Sequence, residues 1–284
     1  VRLTALRTGE VALIDQVPRA SASTFASTSA DRFQTWTMPT LGTSLIGFNV
    51  ATGPFQDRRL RQAAAHAIDH EAMLQAVYAG QGEVATGYYG SASPWHVTGA
   101  APWPEYDPDR ARFLLRQARA VGAEVLLVTS NAPYTWQTTG ELVQAMWTEV
   151  GFKVTYNVHD AAVWWHKLRA GDFHATTAGG SYRFDPDGWY SRMVLSTSPM
   201  TQMGGFRHAR ADRLITEARQ TADKDKRLAL YAEVDSIVNR ELPYLYLVNV
   251  ASLQAGARRL KGYQPAISGP FTTAGGGIRT AWLA

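Results

Sequence analysis

The feature that most constrains this chain is the run from Asp107 to Thr177, where helical and strand-like segments alternate and almost every junction carries a start or stop signal. Asp107-Pro108-Asp109 opens a helix. Asp caps the first turn, Pro takes a position whose missing N–H costs nothing, and Asp109 complements the helix dipole. Ala111, Leu114, Leu115 and Ala118 form the apolar stripe, and Gly122 ends it. Glu124–Thr129 reads as a strand, 136–150 as a helix stopped by Gly151, and Phe152–Val158 as a second strand. Asp160 caps a helix that Gly171 stops, and Phe173–Thr177 is a third strand. Strands alternating with helices argue a parallel or mixed sheet covered on both faces, an α/β fold. Ligands of such sheets sit outside the carboxyl ends of the strands. The segment that matters most is therefore the one after the third strand, Gly179-Gly180-Ser181-Tyr182-Arg183-Phe184-Asp185-Pro186-Asp187-Gly188-Trp189-Tyr190.

The flanks are read the same way. A short helical pattern opens the chain and stops at Gly9. A strand is expected at Ser44–Val50, after β-type residues interrupted by Pro39 and Gly42. Asp57 caps a helix expected to run unbroken to about Tyr78. Residues 80–106, rich in Gly, Pro and aromatic side chains, read as a long functional or self-packed loop. Helices near 209–221 and 224–239 precede a long apolar strand at Pro243–Val250, and the tail from Arg258 is Gly-rich.

Composition narrows the function. With 45% apolar and 18% charged residues the 284-residue chain has ample material for a core, and no apolar run approaches the roughly 20 residues of a membrane span. The net charge is +4 with scattered basic residues, so no nucleic-acid footprint is expected. The absence of cysteine removes disulfides, thiolate nucleophiles and cysteine-type metal sites. No nucleophile elbow, phosphate loop or dinucleotide fingerprint occurs. His66 and His70 are spaced to share a helix face, but the residue after the first His is Ala67 where a zincin has Glu. No third ligand is evident, so no metal and no cofactor are expected. Asp185 and Asp187 flank Pro186 as helix-capping residues do, and no catalytic residue is assigned. The nine Trp and twelve Tyr suggest, beyond core packing, a surface built to hold a ligand. Tyr182, Arg183, Phe184, Asp185 and Trp189 are the candidate ligand-binding residues. Arg183 is suited to clamping a carboxylate with two parallel hydrogen bonds.

Several blocks also resemble a known family. Phe48-Asn49, followed by Gly53-Pro54-Phe55-Gln56-Asp57-Arg58-Arg59-Leu60-Arg61-Gln62-Ala63 and Ala67-Ile68-Asp69, looks like the "FN…PPFxDxRVRQAxxxAIDRE" signature of the family 5 extracytoplasmic solute-binding proteins, the dipeptide, oligopeptide and nickel-binding components of ABC importers. Leu6-Arg7-Thr8-Gly9-Glu10, Tyr106-Asp107-Pro108-Asp109-Arg110-Ala111, Glu141-Leu142-Val143-Gln144 with Val150-Gly151-Phe152-Lys153-Val154, and Arg227 through Tyr231 agree in family order. The resemblance implies a two-lobed periplasmic-binding-protein-like fold of type II. The chain would supply mainly the C-terminal lobe (51–248) and part of the first lobe (1–50 and 249–284), with the N-terminal part of the same protein and its leader missing. It implies a small solute, peptide-like or another polar organic molecule, as ligand, ABC permease subunits as partners, and a periplasmic or extracytoplasmic location. The alternative, a metal-dependent or hydrolytic enzyme on an α/β scaffold, has no motif behind it. In the peptide binders an Asp three residues before the Asp-Pro step holds the ligand's α-amine. Tyr182 stands there, and Gly179-Gly180 replaces the family's "GW". A phenol supplies no counter-charge at neutral pH, so the resemblance points to a solute with no free amine at that position.

Overall fold

The structure is a computed structural model and describes residues 1–28, 30–97, 100, 103–132, 134–180, 184–265 and 277–284. Its central element is a mixed seven-stranded sheet. In chain order the first elements are α1 (Arg2–Thr8), β1 (Leu13–Ile14), α2 (Arg19–Thr28), β2 (Phe33–Phe48), α3 (Arg58–His66), α4 (His70–Tyr78), β3 (Gly82–Val84) and α5 (Pro108–Gln117). The α/β run is β4 (Glu124–Ser130), α6 (Tyr134–Val150), β5 (Lys153–His159), α7 (Ala161–Ala170) and β6 (Ala175–Gly180). Then come α8 (Asp187–Met193), α9 (Pro199–Gly204), α10 (Ala209–Arg219), α11 (Lys224–Glu241) and β7 (Tyr244–Ala257), with a small hairpin of β8 (Leu260–Lys261) and β9 (Trp282–Leu283). The strand order is β1-β7-β2-β6-β4-β5, with β3 also paired to β7. The β4–β5 and β4–β6 pairs are parallel, and the others in this sheet are antiparallel.

The capping signals act as their chemistry requires. The side chains of Asp57, Asp107 and Asp160 accept the N–H groups of Arg59, Arg110 and Ala162 respectively. Gly171 stops α7 at φ 72°, a left-handed conformation that glycine adopts without strain. Helices α3–α6 bury Leu60, Ala63, Leu74, Leu114, Val143 and Trp147 against Ile46, Phe48, Val125, Leu127 and Leu245 on one face of the sheet. On the other face α8, α10 and α11 pack Trp189, Tyr190, Ile215, Tyr231 and Val234 against Leu45, Tyr244 and Tyr246. Helix α7 adds Trp164 and Leu168 over Val128.

A separate core gathers Leu6, Ile14, Val17, Phe25, Phe33, Leu253 and Ala255 from the two ends of the chain. Strands β2 and β7 run, paired, from this core into the larger ones, and their register shifts between Pro39 and Thr43. The strand expected at Ser44–Val50 is thus the last five residues, Ser44–Phe48, of a 16-residue strand. Pro39 and Gly42 do not end it, because the register shift absorbs the irregularity.

Two further expectations change. The helix expected to run from Asp57 to Tyr78 is two helices. Asp69 caps α4 by accepting Ala72 N–H. His66 and His70 therefore lie on different helices. His66 Nδ1 is 2.8 Å from Glu105 O, and buried His70 meets Trp103 Nε1 at 3.5 Å. Burial holds the His70 imidazole below its usual pKa. Among the described residues no cluster of metal-ligating side chains occurs, and no helix is long and apolar enough to cross a membrane.

The family-like blocks turn out to be fold staples. Asn49 donates to the carbonyls of Gly171 and Phe173 and accepts from Ala51 and Thr52 N–H. Buried Arg61 donates to Phe55 O at 2.6 Å, Gln56 O at 3.1 Å and Glu241 O at 2.7 Å, tying the turn before α3 to the end of α11. Burial lowers its pKa to about 10, and these carbonyls satisfy its donors.

Candidate functional site at the carboxyl edge of the sheet

The parallel strands β4, β5 and β6 end at one edge, at Ser130, His159 and Gly180. Antiparallel β2 brings Thr43 opposite Gly180, β7 brings Asn249 opposite Thr43, and β3 brings Glu83 opposite Asn249. This edge is where ligands of α/β sheets bind. Beyond it β2 and β7 continue into the smaller core, so the edge faces the junction between the two cores.

Strand β6 extends to Gly180 rather than ending at Thr177, because β2 pairs with it as far as Thr43, and its last two residues are glycines for a steric reason. A Cβ on Gly179 would lie 3.0 Å from Trp136 Nε1, and one on Gly180 would overlap the Tyr88 ring. The two glycines let an indole and a phenol close on opposite faces of the strand end. Trp136 sits 5.4 Å from Trp164, and Trp164 Nε1 donates to Thr176 Oγ1 at 2.9 Å. Tyr88 is anchored through its backbone, whose carbonyl accepts from Thr43 Oγ1 at 2.5 Å and Asn249 Nδ2 at 3.0 Å.

The five residues expected to hold ligand fare differently. Tyr182 and Arg183 lie outside the described residues. Phe184 is 59% exposed. The Asp185 carboxylate is engaged by Arg227 of α11, at 2.7 Å and 3.0 Å, and by Asp187 N–H at 2.9 Å. The Arg227 guanidinium holds this carboxyl below its usual pKa and itself lies 4.9 Å from the Trp95 ring centroid. Asp185 is thus an anchor for the end of the loop and the start of α8, not an open acceptor.

Trp189 is a correction too. It is 3% exposed, stacks on Tyr88 at 3.6 Å and 11°, and donates Nε1–H to Tyr246 Oη at 3.2 Å. Both its edge and a face are taken by core neighbours. It supports Tyr88 from behind. Tyr88, from the aromatic-rich stretch at 80–106, and Trp136, which the sequence did not single out, flank the strand end instead. Their signal was the Gly179-Gly180 pair, which implies a close approach by something else.

Arg227→Met keeps the aliphatic packing and removes the ion pair. The expected result is a loss of about 1 kcal/mol in urea unfolding, since Asp185 is well exposed and the pair is screened.

Residues 1–202 match the family described as bacterial extracellular solute-binding proteins, family 5 middle. Heme-binding protein A of Haemophilus influenzae is 26% identical over 241 residues, covering 81% of this chain and 43% of that protein. The dipeptide-binding protein of Pseudomonas aeruginosa is 26% identical, covering 80% of this chain and 44% of that protein. The chain therefore spans about half the length of the curated relatives it matches. Among solved structures, the oligopeptide-binding protein AppA from Bacillus subtilis, in complex with a nonapeptide, superposes with a TM-score of 0.81 at 21% identity. The match covers 99% of this chain and 57% of that one. The α/β fold with its sheet edge facing a second core is that of the type II periplasmic binding proteins. The chain belongs to the bacterial extracellular solute-binding proteins of family 5.

Proposed function

We propose that this chain is the C-terminal part of the substrate-binding component of an ABC importer, which captures a small polar solute between two lobes outside the cytoplasm and delivers it to membrane permease subunits. In this reading residues 51–248 form the second lobe, and 1–50 and 249–284 belong to the first. The observation that carries it is the placement of the sheet's carboxyl edge at the junction of two cores joined by β2 and β7. A solute bound there touches both sides, and those contacts favour the closed state.

The relatives' names cover heme, dipeptides and oligopeptides. Within that range the loop after β6 favours a solute that offers a carboxylate or hydroxyls to Arg183 and a flat or apolar surface to Tyr182 and Phe184. Asp185, already paired with Arg227, does not replace the missing carboxylate. The test is calorimetric titration of the full-length protein with free and N-acetylated forms of the same short peptides. The reading expects any peptide that binds to keep its affinity within a factor of about three on acetylation. Loss of a charge-assisted hydrogen bond would lower affinity by roughly 10- to 150-fold, and a drop of that size contradicts it.

A further inference from the structure

A groove of about 250 Å³ opens where β2 and β7 pass from one core to the other, on the β3 side of the sheet edge described above. Its walls include Thr37 and Pro39 of β2, Ala251 of β7, Glu83 of β3, and Gly90 and Ser93 of the following loop. Among the described residues lining it, Glu83 is the one charged side chain. Its carboxylate is fixed: Oε1 accepts Ser91 N–H at 2.6 Å and Oε2 accepts Ser91 Oγ–H at 2.5 Å. Each oxygen has capacity for a further donor. Asn249, which also lines the groove, spends its amide donors on Thr43 Oγ1 and the carbonyls of Gly87 and Tyr88. No Lys, Arg or His pairs with Glu83 among the described residues. A Cβ on Gly90 would overlap Glu83 Oε1, and one on Gly82, at φ 142°, would lie 2.5 Å from Asn249 O. The glycines thus let the walls close around an oriented carboxylate, while Pro39, Ala92, Val250 and Ala251 give an apolar lining.

We propose that this groove binds a primary ammonium or guanidinium group carried on a short aliphatic stem. A single carboxylate is too few hard oxygen ligands for calcium or magnesium. An organic cation needs one charge-assisted contact and room for its carbons, and the volume equals that of about eight waters. Because the walls belong to both crossing strands at their register shift, occupancy bears on the segment that joins the two cores. The cation is either a group of the transported solute or a separate small effector. The site stands on Glu83 and is independent of the reading of Tyr182 and Arg183.

The test is titration of the full-length protein with n-butylammonium and methylguanidinium, and with 1-pentanol as the neutral control, by calorimetry and saturation-transfer NMR. Wild-type protein is expected to bind the cations and not the alcohol. Glu83→Gln is expected to weaken cation binding at least about tenfold. Ala92→Leu, which fills the groove and leaves Glu83 in place, is expected to abolish it. Unchanged cation affinity in both variants, or no cation binding by the folded wild type, overturns the proposal. Competition between n-butylammonium and the solute assigns the cation to the solute, and simultaneous binding assigns it to an effector. Acetylation of a solute amine held by Glu83 weakens binding to the wild type and not to Glu83→Gln, whereas a loss that persists in Glu83→Gln counts against the reading of the loop after β6 and not against this groove.

Discussion

Asp235→Asn is expected to stabilise the protein at pH 8 by about 2–4 kcal/mol and at pH 4.5 by no more than about 1 kcal/mol. Asp235 lies in α11 within the core that backs the site, 3% exposed, with Oδ1 lacking a hydrogen-bond partner. Tyr89, Tyr190 and Tyr246 are the titratable groups around it, and the Tyr190 hydroxyl, which interacts with the carboxyl, offsets only part of the cost of its burial. Burial pushes its carboxyl up to about 7, against roughly 3.9 in the unfolded chain. Between these values the native state holds a proton that the unfolded state lacks, so stability falls as pH rises from about 4 to about 7 and then levels off. A shift of about three pKa units corresponds to roughly 4 kcal/mol. Asparagine removes the ionisation at nearly the same volume, so the wild type alone should carry this slope. Urea unfolding at the two pH values measures it. An equal difference between wild type and variant at both values would show that Asp235 ionises as an ordinary carboxyl.

The second large effect separates support from contact. Trp189→Ala should cost about 3–5 kcal/mol, the range for emptying an aromatic core position, because its ring stacks on Tyr88 and its Nε1–H is bonded to Tyr246. Phe184→Ala, at an exposed position, should leave stability within about 0.5 kcal/mol. It should weaken solute binding by roughly 3- to 10-fold, the worth of one aromatic contact. Melting temperature and solute affinity, measured on both variants, distinguish the roles. A Trp189→Ala variant of normal stability with lost affinity would return Trp189 to the binding surface.

The fold was legible where local chemistry decides the outcome. Asp107-Pro108, Asp160 and Gly171 mark boundaries through caps that need no tertiary partner. The break at Asp69 carried the same kind of signal, an Asp followed by Glu71 in the first turn of α4. It was hidden by an apolar stripe that continues across two helices packing on one face. The reach of β2 through Pro39 was not local at all. It depends on pairing with β7, over 200 residues away, where Pro39 lies opposite Ala251.

The site was harder to read for a related reason. Its location at the strand ends follows from topology, but its walls come from distant segments. Tyr88 and Trp136 reach Gly180 and Gly179 from 92 and 43 positions away, and no periodicity links them. Trp189 follows exposed Phe184 closely in sequence, yet α8 turns it inward within one helical turn. Asp185 looked like a ligand carboxylate because its partner, Arg227, lies 42 residues away.

The central claim is that the sheet edge between the two cores holds a solute, and native mass spectrometry of the full-length protein tests it most directly. Protein isolated gently and exposed to growth medium or cell extract should carry one non-covalent small molecule, lost on denaturation, with reduced occupancy in Phe184→Ala. Full-length protein that carries no small molecule, and takes none from those mixtures at micromolar concentration, would contradict the account.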